Sequence, residues 1–326
     1  VRTLTAAIIT VGLVASLSAC ASTDAAASCD TTATSGDASA LVDVTGDAGT
    51  ELSVTFPTPL ITEGLEATTI SAGDGMTLEE GDVADFHLTV LDAATGEVLD
   101  TGLEPDSFLR ASAGKSNTQT NELGTALGCA TVGSRVAVTL EFQDLFGAQA
   151  EGSSAYANED TLVAVVDVIR GFPGRATGAT QLPVNGMPAV VLAPSGQPGI
   201  VVPNSDAPTE TLSSTTKKGD GAKIKEDDAV VIQSASIVWG ADDILSSTWE
   251  TQPSTVLATA DRTGATGGVL PGLADALVGA TIGSQLVVVI PPGDDSYDET
   301  ATLPTGVTAE DTLVYVVDVL GVLDTE

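Results

Sequence analysis

The stretch that decides the fold is "GGVLPGLADALVGATIGSQLVVVIPP", Gly267 to Pro292. Leu270, Leu273, Ala274 and Leu277 recur at helical spacing, with Pro271 at the first turn and Gly279 near the end, so the spacing predicts one short helix. "SQLVVVIPP" (Ser284 to Pro292) then switches to a β-branched run that reads as a strand, ended by its Pro-Pro. Further strands are expected in "AVVIQSASIVW" (Ala229 to Trp239), "ILSSTW" (Ile244 to Trp249) and "DTLVYVVDVLGVL" (Asp311 to Leu323), after "GIVVP" (Gly199 to Pro203) and a polar stretch. Many strands and a single short helix predict an α+β unit, an antiparallel sheet with the helix laid on one face.

The same unit is written earlier in the chain. "EDTLVYVVDV" (Glu310 to Val319) repeats "EDTLVAVVDV" (Glu159 to Val168), with Tyr315 in place of Ala164. "ALVGATIGSQL" (Ala276 to Leu286) repeats "ALGCATVGSRV" (Ala126 to Val136), and "KGDG" (Lys218 to Gly221) stands against "AGDG" (Ala72 to Gly75). Gly219 follows Gly73 by 146 residues and Asp311 follows Asp160 by 151, so the copies are full length with a few short insertions. Two copies of this size predict tandem domains, each with its own core, rather than a solenoid. The boundaries expected are 1–19 for a signal peptide, 20–40 for a tether, 41–175 for the first domain and 176–326 for the second.

Of the 326 residues, 43% are hydrophobic, enough for two cores. Asp and Glu number 45 against 11 Lys and Arg, a formal charge of -34, which disfavours nucleic acid or an anionic bilayer held by a basic patch. Arg2 precedes an apolar run, Leu4 to Leu17, that is too short to span a bilayer and reads as a signal peptide. It ends in "LSAC" (Leu17 to Cys20), which resembles the lipobox of bacterial lipoproteins. That resemblance implies cleavage before Cys20, a lipidated thiol and a protein held outside the cytoplasmic membrane. From Ala21 to about Ala40 the composition is that of a flexible tether. Cys29 and Cys129 then remain in an oxidising compartment, either as a disulfide or as two free thiols.

The order of strand, "VLPGLxxALxG", "IPP", a Tyr a few residues on and a terminal "TLVY" strand resembles the FKBP-type peptidyl-prolyl cis-trans isomerases, covering Ile224 to Leu323 and, through the duplication, Leu78 to Ile169. The resemblance implies two FKBP-like domains, each a half-wrapped antiparallel sheet around one short helix, with a proline pocket between them. In the second copy it places Val269, Leu270, Tyr297 and Tyr315 in that pocket, with Leu273 where the family has a Trp, Ser234 where it has a Tyr, and Leu245 and Ser246 for its Phe-Asp pair. The first copy keeps His87 and the acid as Asp100. Its other counterparts are Leu88, Leu99, Leu123, Ala164, Gln119 and Thr120, and "LEFQDLFG" (Leu140 to Gly147, including Phe146) stands for "IPPxxAYG".

Rotation about an X-Pro bond faces a barrier of ~18–20 kcal/mol and limits folding. An apolar pocket disfavours the planar, more polar ground state relative to the twisted one, so this chemistry asks for no nucleophile, metal or other cofactor. The resemblance therefore implies a prolyl isomerase for exported proteins, monomeric and anchored through Cys20, or a non-catalytic chaperone module on the same fold. Tyr297 and Tyr315 read either as pocket wall or as core. Trp249 reads either as pocket wall or as surface. His87, the single histidine, reads as a strand residue, and the acidic "GDG" and "GDDSYDE" segments as turns.

Overall fold

The computed structural model describes residues 33, 35–101, 108–114, 122–149, 155–298, 301 and 303–323. Cys20, Cys29, Gln119 and Thr120 lie outside these. The fold is mostly β-sheet with few helices. In the first copy the elements are β1 (Asp43–Thr45), β2 (Ser53–Thr55), β3 (Glu66–Ser71), β4 (Val83–Asp92), β5 (Val98–Thr101) and β6 (Leu109–Ser112), followed by α1 (Leu123–Ala126), β7 (Arg135–Glu141), α2 (Phe142–Phe146) and β8 (Thr161–Phe172). In the second they are β9 (Ala179–Thr180), β10 (Ala189–Leu192), β11 (Pro198–Val201), β12 (Leu212–Lys218), β13 (Ala229–Val238), β14 (Ser246–Ser247), β15 (Ser254–Leu257), α3 (Pro271–Leu277), β16 (Gln285–Ile290) and β17 (Leu313–Leu323).

The first sheet runs β3-β7-β8-β4-β5, with β6 also on β4; the second runs β12-β16-β17-β13-β14, with β15 on β13 and β9 on β12. The order is the same once counterparts are matched, and all the pairings are antiparallel. Even the irregularities repeat. β4 slips against β8 between Asp85 and Phe86, and β13 slips against β17 between Val231 and Ile232. The helix predicted from Leu270 onward is α3, with Pro271 at its first position. Its Leu273, Ala274 and Leu277 enter one core with Val288, Ile290, Leu313 and Val317. Each large side chain buried there stabilises by about 1.5–3 kcal/mol.

Three features depart from the sequence reading. The half-wrapped sheet, expected to carry only a helix on one face, has its other face covered by a hairpin in each copy. β1–β2 lays Val44 and Val54 on Leu91, Ala137 and Val163, and β10–β11 lays Val190 and Ile200 on Val287, Val289 and Val316. Second, the first copy has two short helices instead of one. α2 starts at Phe142, where the second copy has Pro-Pro, and Asp144 accepts the Glu141 N–H at 3.3 Å to close its first turn. Third, residues 35–40, given to the tether by composition, pack on the edge of β3. The Ala38 and Ser39 N–H groups both donate to Glu66 at 2.9 Å, and Ser39 Oγ bonds Thr68 at 2.8 Å. That segment blunts the open edge of the first sheet as β9 does in the second.

The two sheets meet along the row that carries the slips. Val83, Phe172, Val231 and Leu320 form one buried cluster. Arg110 holds Asp85 bidentately, at 2.6 and 3.0 Å, and donates across the junction to Thr255 Oγ1 at 2.8 Å. In register, Arg110 and Thr255 are counterparts, so each copy presents the same row to the other. Gly321 makes room for Phe172, whose ring would lie 2.3 Å from a Cβ there.

Candidate functional site

The candidate site is assembled on the face of the second sheet against which α3 packs. β17 turns Leu313, Tyr315 and Val317 to that face and Val314, Val316 and Asp318 to the other, as the period of a strand requires. Tyr315 lies between Ser236 of β13 and Val288 of β16. α3 supplies Leu273, while Val269 and Leu270 precede its first turn. The loop after β16 brings in Tyr297. Val269, Leu270 and Leu273 belong to the buried core, and Tyr297, Tyr315, Leu245, Val238 and Val307 pack against it half-buried. Ser234 and Ser236 occupy the same side of β13 as Val230 and Ile232.

Tyr315 faces Tyr297, and its ionisation is pushed up chiefly by burial and then by that neighbour. Two fixed points position the loop that carries Tyr297. Arg262 donates Nε to the Ser296 carbonyl and Nη2 to that of Gly293, both at 3.0 Å, and the Gly272 N–H of α3 donates to the Asp295 carbonyl at 3.1 Å. Val269 is presented by a turn built on Asp261, whose carboxylate takes the N–H groups of Thr263, Gly264 and Thr266 and both threonine hydroxyls. Those donors, the Thr266 N–H first, hold it far below the usual carboxylate range. The arrangement is a packed apolar cluster with two half-buried phenols at its edge.

Of the residues named from the sequence, Val269, Leu270, Leu273, Leu245, Tyr297 and Tyr315 converge, and Ser234 shares their face. Ser246 is exposed on the edge strand β14. In the first copy Leu88, Leu123 and Ala164 are buried in one core with Phe142, and Leu99 and Tyr156 pack against it. Phe142 stacks on Tyr156 with centroids 5.4 Å apart and meets Phe146 at 4.9 Å. The space above Ala164 is thus bordered by rings from α2 and the following loop. Phe146 itself is 48% exposed and Asp100 is exposed, so neither lines an enclosed space. His87 sits half-buried on the opposite side of β4 from Leu88. Trp249 lies at the junction of the two copies, away from this cluster. Arg262 and Val307 were not singled out from the sequence. Val307 stands 151 residues after Tyr156, the offset of the repeat, and that signal would have found it. Cys129 is disulfide-bonded.

No family model matches the chain, and no curated protein matches it. Similar solved structures are FKBP-domain proteins. The three FKBP domains of wheat FKBP73 match at 15% identity and a TM-score of 0.32, over 80% of this chain and 95% of that one. The N-terminal domain of FKBP42 from Arabidopsis thaliana matches at 15% and 0.30, over 36% of this chain and 94% of that one. FkpA from Escherichia coli matches at 16% and 0.28, over 34% and 49%.

Proposed function

We propose that the protein is an FKBP-like folding factor whose second copy binds prolyl segments of exported proteins, held outside the cytoplasmic membrane by lipidated Cys20. The observation that carries the reading is the convergence of Val269, Leu270, Leu273, Tyr297 and Tyr315 in one apolar cluster, the walls of the prolyl cup proposed here. Twisting an X-Pro bond in such a cup is favoured because the planar amide loses more on leaving water than the twisted one. Isomerase activity is the first reading. A second, holding without catalysis, is favoured by Ser234 and by the exposed Ser246 where the family has an aromatic and an acid.

A prolyl peptide titrated into the full chain separates these. Binding should perturb the resonances of Tyr315, Tyr297 and Leu270 and leave those around Phe146 and Asp100 unmoved. Faster cis-to-trans conversion of the same peptide supports isomerase, and binding without acceleration supports the holding module. Perturbation of the first copy alone rejects both. Anchoring is tested by Cys20→Ser, which should release the protein from membranes; retention would refute it. Among the described residues no helix is long and apolar enough to cross a membrane. Cys29 is the proposed partner of Cys129, and peptide mapping without reductant would find the linked pair or reject it.

A further inference from the structure

Residues 176–205 hold no Asp, Glu, Lys or Arg, although 17% of the whole chain is charged. The counterpart stretch of the first copy, 146 residues earlier by the offset of the repeat, carries Asp30, Asp37, Asp43, Asp47 and Glu51. The covering hairpins fix that register, since Val44 pairs with Val54 and Val190 with Ile200. What the second copy gains there is apolar and exposed. Leu182 is 89% and Val184 54% exposed where the first copy has Gly36 and Ala38, the latter only 5% exposed. Leu192 stands for Gly46, and Leu212, the first residue of β12, stands for Glu66, the first of β3; both leucines are exposed. Apolar side chains gathered on one uncharged face mark an interaction surface.

The exchange of Glu66 for Leu212 also changes the shape of that face. In the first copy Glu66 accepts the Ala38 and Ser39 N–H groups and draws their segment onto β3. Leu212 can accept nothing, and between residues 180–192 and β12 lies a groove of about 270 Å³, with Leu182, Val184 and Leu192 on one wall and Ser214, Thr215 and Thr216 on the other. Beside it the outer edge of β12 is open. β9 pairs only with Lys217 and Lys218, and the Gln181 N–H donates to the Thr216 carbonyl at 2.7 Å, so from Leu212 to Thr215 no strand among the described residues lies beyond β12. Such an edge is a template for pairing.

We propose that this edge takes an extended apolar segment of another polypeptide as an added strand, its backbone paired with β12 and its alternate side chains lowered into the groove. The first copy shows what fits, because there the chain's own residues 35–40 lie on the same edge. The groove is smaller than the about 300–1,000 Å³ usual of small-molecule pockets and suits a side chain or two. Two copies of a chain of charge -34 repel each other, and an anionic bilayer repels it likewise, so an apolar segment of a different protein is the occupant. The proposal stands apart from the prolyl site.

The test uses the full chain and a short, capped, fluorescent peptide that alternates leucine and serine and contains no proline. Its anisotropy should rise saturably, and the same peptide N-methylated at every amide, which cannot pair as a strand, should not bind. Leu182→Ser with Val184→Ser, both exposed, should weaken binding about tenfold or more, and Ile61→Ser, exposed on the first copy, should leave it unchanged. Leu212→Glu restores the acceptor of the first copy. It should draw the segment down, abolish binding and slow hydrogen exchange at the Val184 and Asn185 amides. Absence of binding, or binding that the 182 and 184 pair does not weaken, overturns the proposal. So does a dimer in sedimentation that this pair breaks into single chains, or adsorption to neutral phosphatidylcholine vesicles that it abolishes.

Discussion

Ala164 and Tyr315 occupy the same position on the same strand of two sheets with one strand order, yet what lies above them differs. In the first copy Phe142 stacks on Tyr156 and the small residue is sealed beneath a core. In the second, Pro291 and Pro292 stop the chain after β16, no helix forms there, and Tyr315 meets Tyr297 at a rim. The pair teaches that a duplicated scaffold can keep its backbone hydrogen bonds while exchanging which side chains cover one position of the sheet. The exchange needs one aromatic on β17 and the loss of a helix turn after β16.

The largest expected effect on this contrast is Tyr315→Ala. Truncating the ring leaves a void at a packed position, and a loss of about 3–5 kcal/mol is expected in denaturant unfolding if the site cannot collapse. The cup would then resemble the first copy's strand without its covering rings. A loss under about 1 kcal/mol would mean the ring is surface, and the contrast with Ala164 would lose its meaning.

A pH series sharpens the same comparison. Burial raises the ionisation of Tyr315 above its ordinary value of 10. Below about pH 10 both folded and unfolded chains keep this proton and the contribution is whole. As pH rises from there toward the folded-state value, the unfolded chain alone releases the proton, and stability falls by up to about 1.4 kcal/mol per pH unit. Tyr315→Phe should remove that slope. Equal slopes in both proteins would show that the phenol is hydrated.

The smallest effect concerns the turn after each helix. Cys129 has φ +67, in the left-handed region that glycine tolerates best, and its counterpart Gly279 has φ +87. In a chain carrying Cys29→Ser, Cys129→Gly should be more stable than Cys129→Ala by about 1–2 kcal/mol, read by thermal unfolding. No difference would mean the turn relaxes once the disulfide is gone.

The parts that were legible from sequence share a cause. α3, β13, β16 and β17 announce themselves through long runs whose apolar spacing matches their period, and Pro271 marks the first turn. The proposed prolyl site attaches, through the family resemblance, to those same runs. β1, β2, β10 and β11 were missed because strands of three or four residues give too few turns of the pattern, and their covering role rests on single side chains such as Val44 and Ile200. Residues 35–40 were missed for another reason. They are held by Glu66 and Thr68 through hydrogen bonds, which composition does not reveal. The place of Trp249 was undecidable because the junction between copies is set by rows on both faces, and periodicity tells that a face is buried without telling against what.

That junction has a consequence for inheritance. The row Asp85, Arg110 and Arg170 in the first copy faces Val231, Thr255 and Gly321, its own counterparts, in the second. Had both copies kept the charged row, arginines would oppose arginines, and had both kept the small row, nothing would reach across. Each half has become the lock for which only the other is the key. Deleting either would bare Phe172 or the hollow at Gly321.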